Sequence, residues 1–274
     1  MTFREIRLED RDRIEKIRSA SGLPYTAYAF PALFAWREAY GLTIALEDDF
    51  FVIHSEEYGG YFRPCGERGR CYAYMKERPE PFFFLTEEES RFAWGRECGE
   101  DRDLNEYICS TKALSLIAGE TTPNYRRRLR RFCRSCRYDM EIISDRHRGE
   151  MEEILTAWEQ EPDAGGREDL DALRELVSHR EALGITGLFL RTESGERAFI
   201  VGYENLPDQY TMTGFLCDET LPRETICACV HELAKWVSGT YPYCNLEEDL
   251  GLTGLRQAKS YYAPLYYQRV FRLI

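Results

Sequence analysis

The order of helices and strands predicted in the second half of the chain constrains the fold more than any other feature. Two amphipathic helices are predicted over 151–161 and 170–182, where apolar residues recur at helical spacing. Two apolar runs then flank the turn signal Glu193-Ser-Gly195, which is typical of a β-hairpin. A strand, a helix, a strand, a helix and a final strand follow at 210–216, 222–238, 243–246, 252–262 and 265–273. The predicted order is therefore α-α-β-β-β-α-β-α-β.

This order is the layout of an N-acyltransferase domain of the GNAT type, in which three antiparallel strands lead to a helix, a strand, a helix and a final strand. The first half of the chain shows a similar but looser order. The predicted fold class is α/β (α+β), with two tandem GNAT-like acyltransferase domains and mixed, largely antiparallel sheets. We expect the domains to span residues 1–137 and 138–274. Because one fold carries many functions, the activity has to be argued from the site.

Composition excludes several classes of protein. With 43% hydrophobic and 14% aromatic residues among 274, the chain has enough apolar material for a packed core, which excludes global disorder. A mean hydropathy of −0.50 and the lack of a long apolar run exclude a membrane-spanning helix. The charged start MTFREIRLED does not resemble a secretory signal. We therefore expect a cytoplasmic protein without an integral membrane segment.

The basic residues are distributed unevenly along the chain. There are 31 Arg and only 5 Lys, and seven of the Arg fall between Tyr125 and Arg137, where there is no acid. Without these seven, the net charge of −12 would be −19. Such asymmetry indicates tRNA or another phosphate-bearing partner, and a solvated helix face is the alternative. The candidate phosphate- or tRNA-binding residues are Arg126, Arg127, Arg128, Arg130 and Arg131.

Ten cysteines are spread along the chain, at positions 65, 71, 98, 109, 133, 136, 217, 227, 229 and 244. In a long chain without an export signal, reduced thiols are expected. Cys133-Arg-Ser-Cys136 and the CxCxH run from Cys227 to His231 contain residue types that bind zinc. Neither run has a partner pair at the usual spacing, so we expect these cysteines to pack in the core or to be incidental, and we expect no metal site.

The densest polar cluster, NLEEDLGLTGLRQAKSYYAP at 245–264, follows a predicted strand and opens a predicted helix. Folds of the α/β class commonly place ligand sites at such positions. Adjacent carboxylates repel one another, which can raise a pKa into the range of a general base. The candidate catalytic residues are therefore Glu247, Glu248 and Asp249. Arg256 and Lys259 share one helix face and can hold a phosphate or a carboxylate, or they can simply pair with the acids of the helix's first turn.

The same run resembles the signature of a large bacterial family that is grouped with the C-terminal cytoplasmic domain of phosphatidylglycerol lysyltransferases. The resemblance extends back through 173–190 and 198–205 to the basic segment at 106–131, so it covers most of the chain. It implies a tandem GNAT-like fold and an enzyme that moves an aminoacyl group from tRNA to an acceptor. The basic segment would then contact the tRNA acceptor stem or another phosphate-rich ligand. Beside the three acids, the substrate-binding residues it implies are Asn245, Arg256, Lys259 and Tyr262.

Three functions remain open at the level of the sequence. The first is an aminoacyltransferase that uses aminoacyl-tRNA as donor and a hydroxyl or amine as acceptor. The second is a CoA-dependent N-acyltransferase, which usually cradles the pyrophosphate of CoA with a glycine-containing loop before a helix. The corresponding segment here, LCDETLPRET at 216–225, contains no glycine, which disfavours a CoA thioester. The third is a non-catalytic module that binds phosphate or RNA.

Overall fold

The structure is a computed structural model that describes residues 1–92, 94–116, 121–160 and 167–274. Within these residues the chain divides into two compact units. The first unit consists of residues 1–106 and 268–274, and the second consists of residues 107–267.

The first unit contains a seven-stranded sheet flanked by short helices. Its elements are β1 (Arg4–Glu5), α1 (Arg11–Ser21), α2 (Phe30–Ala35), β2 (Leu42–Leu46), β3 (Phe51–Ser55), β4 (Gly60–Phe62), α3 (Arg68–Lys76), β5 (Phe82–Leu85), α4 (Glu87–Ser90), β6 (Cys98–Glu100) and, from the end of the chain, β14 (Phe271–Leu273). The strand order is β1-β2-β3-β4-β5-β14-β6, and β4 and β5 are parallel. Aromatic side chains such as Phe50 and Phe82 fill its core.

The second unit contains the other seven-stranded sheet and the candidate site residues. Its elements are β7 (Glu106–Ser110), α5 (Thr111–Leu114), α6 (Pro123–Ser135), β8 (Tyr138–Ile142), α7 (Arg148–Glu159), α8 (Arg167–Ser178), α9 (Arg180–Leu183), β9 (Thr186–Thr192), β10 (Arg197–Leu206), β11 (Gln209–Cys217), α10 (Thr225–Val237), β12 (Tyr243–Asn245), α11 (Thr253–Ser260) and β13 (Tyr266–Gln268). The strand order is β13-β7-β12-β11-β10-β9-β8. One face of this sheet packs against α6 and α10 in a shared apolar core.

The parallel strands β11 and β12 separate after a short pairing. Only the first three residues of β11, up to Thr211, pair with β12, which ends at Asn245, whereas β11 continues to Cys217. Beyond Thr211, β11 has a bulge opposite Gly202 in β10, where the register shifts by one residue. A Cβ at Gly202 would lie 2.1 Å from the Thr211 carbonyl oxygen, so this close approach of the two strands requires glycine.

The predicted fold class is confirmed, because both units combine helices with a mixed, largely antiparallel sheet. The helix predicted over 222–238 is α10, and the helix predicted over 252–262 is α11. The helix predicted over 151–161 is α7, although residue 161 lies outside the described residues. The final strand predicted over 265–273 is instead two strands, β13 and β14, in different sheets. In the part of the chain that is described, no helix is both long and apolar enough to span a membrane.

The structure places residues 107–137 in the second unit, whereas the sequence prediction places them in the first domain. The physical reason is that β7 pairs with β12, with Cys109 opposite Cys244. The buried side chains of α6, Tyr125, Leu129 and Phe132, also belong to the same core as those of α10.

Candidate functional site

The polar run predicted to carry the site occupies the end of β12, a turn and α11. Because β12 ends at Asn245 and α11 begins at Thr253, residues 246–252 form the turn between them. Two residues of this turn have a left-handed backbone, with φ of 58° at Glu247 and 51° at Leu250. Such backbone is uncommon outside glycine, so contacts elsewhere must stabilise the turn.

Asp249 makes the strongest of these contacts. Its buried carboxylate accepts hydrogen bonds from Arg256 Nε at 3.0 Å and Nη2 at 2.8 Å, from the Gly251 amide at 3.0 Å and from the Tyr107 hydroxyl. Burial alone would raise the pKa of Asp249, but the hydrogen bonds from Arg256, Tyr107 and Gly251 lower it to about 2. The carboxylate is therefore ionised at neutral pH and is a weak proton acceptor. Its geometry is that of a group that fixes the turn and orients Arg256.

The two glutamates of the turn contribute backbone groups to the same arrangement. The Tyr107 amide donates to the Glu247 carbonyl oxygen at 3.2 Å, and the Lys259 ammonium donates to the Glu248 carbonyl oxygen. Both glutamates are half-buried. Among the described residues, the Glu248 carboxylate has no ion-pair partner. Asp249 is thus the buried acid of the three, and Glu247 and Glu248 are the two that solvent reaches.

Asn245 belongs to a buried network of side-chain amides. Its Nδ2 donates to Gln209 Oε1 at 3.0 Å, and the same oxygen accepts from Asn205 Nδ2 at 2.7 Å. Asn245 Oδ1 accepts from the Glu247 amide at 2.8 Å. All three amides are buried, and their hydrogen bonds connect β10, β11 and β12 to the start of the turn. The structure thus brings Asn245 together with the acids and with both cations of α11.

Tyr262 lies apart from these residues and packs in the core of the unit. It is 8% exposed, and its ring centroid is 5.2 Å from that of Tyr125 in α6. Burial raises its pKa well above the usual value. The neighbouring Tyr261 carbonyl oxygen accepts a hydrogen bond from the Thr122 hydroxyl at 2.5 Å, at the start of α6. These contacts join the end of α11 to the beginning of α6.

Helix α6 divides the basic segment into two faces. Tyr125, Leu129 and Phe132 are fully buried, and five arginines lie on the opposite side, where they line an open groove of about 590 Å³ together with Pro123 and Ser135. We call these five residues the arginine face: Arg126, Arg127, Arg130, Arg131 and Arg134. The turn 246–252 and α11 contribute no residue to this lining in the described structure.

The arginine face differs from the predicted set by two residues. Arg128 is on another side of α6, with its guanidinium 5.0 Å from the centroid of the Tyr261 ring. Arg134 is absent from the predicted set, although its position four residues after Arg130 is a helical-spacing signal that identifies it. The predicted set also lacks Tyr107 and Gln209. Nothing in their local sequence indicates that Tyr107 contacts Asp249 or that Gln209 contacts Asn245.

The start of α10 adjoins the arginine face. Arg131 Nη1 lies 3.3 Å from Glu224 Oε1, and Glu224 is the N-cap residue of α10. Arg127 donates to the Asn124 side chain at 2.8 Å, and Arg126 donates to the Thr121 carbonyl oxygen. The arginine face thus borders the start of α10 through Arg131 and lines a groove open to solvent.

The cysteines of α10 are packing residues. Cys227 and Cys229 are buried, and burial raises the pKa of the Cys227 thiol to about 11. His231 Nδ1 lies 3.0 Å from the Leu114 carbonyl oxygen, to which it donates. Across the described ranges, no three His, Cys, Asp or Glu side chains are grouped so that they could hold a metal ion.

Solved structures with the same fold include proteins from several sources. A conserved protein of unknown function from Bacteroides thetaiotaomicron VPI-5482 is 24% identical, with a TM-score of 0.84 over 99% of this chain and 98% of that one. L-PGS from Bacillus licheniformis is 15% identical, with a TM-score of 0.65 over 96% and 91%. FemX is 8% identical, with a TM-score of 0.62 over 100% and 97%. These likenesses show that the fold is shared over nearly the whole chain, and its two mixed sheets agree with the predicted fold class.

Sequence comparison assigns the family. No curated protein matches the chain significantly. A family model described as "Phosphatidylglycerol lysyltransferase, C-terminal" matches residues 22–274, which is most of both units. The predicted resemblance is thereby confirmed, and the chain belongs to the phosphatidylglycerol lysyltransferase C-terminal family.

Proposed function

We propose that the protein is an aminoacyltransferase that takes its aminoacyl group from aminoacyl-tRNA and passes it to a hydroxyl or amine acceptor. The family description is that of a transferase of an aminoacyl group, lysyl, to a phospholipid. The feature of this chain that supports a tRNA donor is the arginine face of α6. Its identity as a phosphate-binding surface is the part of the proposal that can be tested most directly.

The arginine face suits a nucleic-acid backbone. Arg126 and Arg134 are eight residues apart, so the five guanidinium groups extend over about 12 Å of helix. Guanidinium groups bind phosphate oxygens through paired hydrogen bonds, and their charge attracts a polyanion. The remainder of the chain has a strongly negative net charge, so contact with RNA is expected to be confined to this face.

The start of α10 supports tRNA over CoA as the donor. A helix N-terminus is a favourable place for a pyrophosphate because its amides and dipole attract anions. Here that position carries carboxylates, Glu224 at the N-cap and Asp218 after β11. Glu224 pairs with Arg131 and Asp218 with Arg197, and the segment 216–225 between β11 and α10 lacks the glycine-containing loop that usually cradles the pyrophosphate of CoA.

The turn after β12 supplies the groups for the transfer step. The acceptor oxygen or nitrogen attacks the ester carbonyl carbon, the ester bond to the tRNA ribose breaks, and the ribose oxygen takes up a proton. We assign Glu248 as the residue that accepts the acceptor's proton, with Glu247 beside it. Arg256, held by Asp249, and Lys259, held by the Glu248 carbonyl, form the cationic side of the turn. Because the ester is already activated, positioning and proton transfer suffice without a covalent enzyme intermediate.

The test compares the wild type with the double variant Arg130→Ala/Arg131→Ala, and Arg148→Ala in α7 is the matched control, an exposed arginine outside the face. Gel shifts with tRNA measure binding, and transfer is followed from radiolabelled aminoacyl-tRNA to phosphatidylglycerol vesicles or to a dipeptide amine. We expect the double variant to bind tRNA about 10-fold or more weakly and to transfer correspondingly less, and the control to match the wild type.

Two results would contradict the proposal in different ways. If the wild type shifts no tRNA and forms no product from charged tRNA, the proposed donor is wrong. If the wild type shifts tRNA but forms no product with any acceptor, and Glu248→Gln behaves in the same way, the protein is a non-catalytic RNA-binding module.

A further inference from the structure

The two cysteines at the end of α6 are placed differently from the other cysteines of the second unit. Cys133 lies in the last turn of α6 and is exposed, and Cys136, the residue that caps the end of this helix, is half-buried. Cys133 therefore does not pack in the core. The remaining cysteines that the structure describes in this unit are all buried: Cys109, Cys217, Cys227, Cys229 and Cys244.

The helix end brings the two thiols close enough to be joined. The Cys136 amide still donates to the Phe132 carbonyl oxygen at 2.9 Å, so the last helical turn extends up to Cys136. Side chains three residues apart on a helix have Cβ atoms about 5–6 Å from each other, and a disulfide needs about 3.5–4.5 Å. The backbone of Cys136 has left the helix, with φ of −136° and ψ of 125°, so this turn can tighten without breaking a longer run of helical hydrogen bonds.

The surroundings of the two thiols give them different roles. Burial raises the pKa of the Cys136 thiol above its usual value, and the nearby carboxylates of Glu196 and Glu193 add to the rise. A thiol with a raised pKa is the less reactive one at neutral pH, because the thiolate is the nucleophile. The exposed Cys133 is therefore the thiol that reacts first with a reagent from solvent, and Cys136 reacts second.

Cys133 also lies beside the arginine face. Arg130 is three residues before Cys133, so the two are neighbours on the helix surface, and Arg134 follows Cys133 directly. On its other side, Cys133 Sγ lies 4.0 Å from the Tyr138 hydroxyl, which donates to Glu232. The arginines attract anions from solvent, and low-molecular-weight thiols and disulfides of the glutathione type are anionic at neutral pH.

A bridge between the two thiols would alter the arginine face. Arg134 and Ser135 lie between the two cysteines in the sequence, and both line the groove. Tightening this turn moves the Arg134 guanidinium relative to those of the preceding turns, whose helical backbone is unchanged. A polyanion that binds along the face would then lose about one phosphate contact.

We propose that Cys133 and Cys136 are oxidised to a reversible disulfide by an anionic low-molecular-weight disulfide, and that this bridge weakens polyanion binding at the arginine face. The Cys133 thiolate attacks one sulfur of the oxidant, whose S–S bond breaks and releases one thiol. The Cys136 thiolate then attacks the Cys133 sulfur and releases the second thiol. Two protein thiols lose two electrons and two protons, which the oxidant takes up as it becomes two thiols. The effect on tRNA rests on the proposed function, and the disulfide itself does not.

The first experiment follows the thiols. The folded wild type is incubated with glutathione disulfide at neutral pH, alkylated and digested with trypsin, which cleaves after Arg131, Arg134 and Arg137. The bridge therefore links the peptide 132–134 to the peptide 135–137, and mass spectrometry detects the linked pair. We expect this pair in the wild type, and Cys136→Ser should instead retain one glutathione on Cys133. The variant Cys133→Ser should be modified about 10-fold more slowly.

The choice of oxidant is tested by its charge. Relative to a neutral cysteine peptide, Cys133 should react about 10-fold faster with glutathione disulfide than with cystamine, a cationic disulfide, and added salt should reduce this preference. Cys98, a half-buried cysteine of the first unit, is the internal control in the same digests and should show no such preference. Equal relative rates with both reagents at Cys133 would overturn the assignment of an anionic oxidant.

The second experiment compares tRNA gel shifts of the reduced and the oxidised protein. We expect oxidation to weaken binding about 3–10-fold and to lower the salt slope by about 1, and dithiothreitol should reverse both effects. Reduced Arg134→Ala should show the same weakening, and its oxidation should add less than about a twofold change, because the bridge acts through Arg134. The control variant Cys133→Ser/Cys136→Ser should match the reduced wild type with or without oxidant.

Three results would overturn the inference in whole or in part. If the folded wild type forms no linked pair with glutathione disulfide, the two cysteines are not a redox pair, and the proposed function is unaffected. If the pair forms and the reduced protein shifts tRNA, but oxidation leaves the shift unchanged, the bridge does not regulate binding and the proposed function stands. If the reduced wild type shifts no tRNA, the proposed function and the regulatory role fail together, and the linked pair alone decides whether the bridge forms.

Discussion

The carboxylate of Asp249 joins residues that are far apart in the sequence. It accepts from Arg256 in α11, from the turn amide of Gly251 and from Tyr107 at the start of β7. We expect Asp249→Asn to lower the free energy of unfolding at pH 7 by about 2–3 kcal/mol, because the variant leaves Arg256 without its anionic partner. Denaturant unfolding followed by circular dichroism measures this difference.

The same carboxylate predicts a pH dependence with a definite sign. Its pKa is about 2 in the folded protein, below the ordinary value of 3.8, so the folded state binds its proton less readily than the unfolded state. The stabilisation is therefore complete above about pH 4 and is lost as the pH falls from about 4 towards 2. We expect the stability difference between the wild type and Asp249→Asn to shrink over that interval. Asp139→Asn, an exposed control on β8, should show no such change, and a difference that stays constant down to pH 2 would contradict the assignment.

Residue types and their spacing predict the polar turn, but they do not predict the role of each residue within it. The run at 245–259 correctly predicts a polar turn in which acids and cations meet, since residue types and spacing are local information. It cannot show that Tyr107, 142 residues away, donates to Asp249 and helps to make it a structural anion. Nor can it show that Asn245 is held by Gln209, since these amides meet only when β11 and β12 pair.

The two faces of α6 have different roles: the buried face contributes to stability, and the arginine face is the proposed phosphate-binding surface. We expect Leu129→Ala on the buried face to cost roughly 2–5 kcal/mol of unfolding free energy. Arg130→Ala on the arginine face should change that free energy by less than about 0.5 kcal/mol. It should also reduce the slope of log Kobs for tRNA against log salt concentration by about 1.

Thermal or denaturant unfolding and salt titrations of tRNA binding measure the two effects on the same proteins. The control for charge alone is Arg148→Ala, which removes an exposed arginine from α7 and should leave the salt slope as it is in the wild type. A slope that is identical for Arg130→Ala and the wild type would mean that Arg130 contacts no phosphate.

Elements with a clear local signal could be predicted closely. The apolar period, Pro222 near its start and Gly239 after its end indicate the helix that the structure has as α10 (Thr225–Val237). The apolar run after Leu265 also indicates strand structure, but its two parts, β13 and β14, belong to different sheets. Local pattern identifies a strand and cannot specify its neighbour, because pairing depends on residues that are distant in the chain.

The repeated order of elements predicts the tandem arrangement, but it does not predict where one unit ends and the other begins. The segment at 107–137 precedes the second repeat in the sequence, so the repeat predicts that it is the end of the first domain. Its strand nevertheless completes the second sheet beside β12, and its helix completes the second core. A boundary drawn from the repeat alone therefore differs from one drawn from packing.

This difference leads to a prediction about fragments of the chain. A fragment of residues 107–267 keeps β7 and α6, with the buried Tyr125, Leu129 and Phe132, whereas a fragment of residues 138–267 exposes the edge of β12 and one face of α10. We expect the longer fragment to unfold in one cooperative transition, and the shorter one to bind a hydrophobic dye and to lack such a transition, because it has lost part of its core. Thermal unfolding monitored by near-ultraviolet circular dichroism distinguishes the two. A cooperative transition of the shorter fragment at the temperature of the longer one would instead support a domain boundary at 137/138, with α6 as a dispensable appendage.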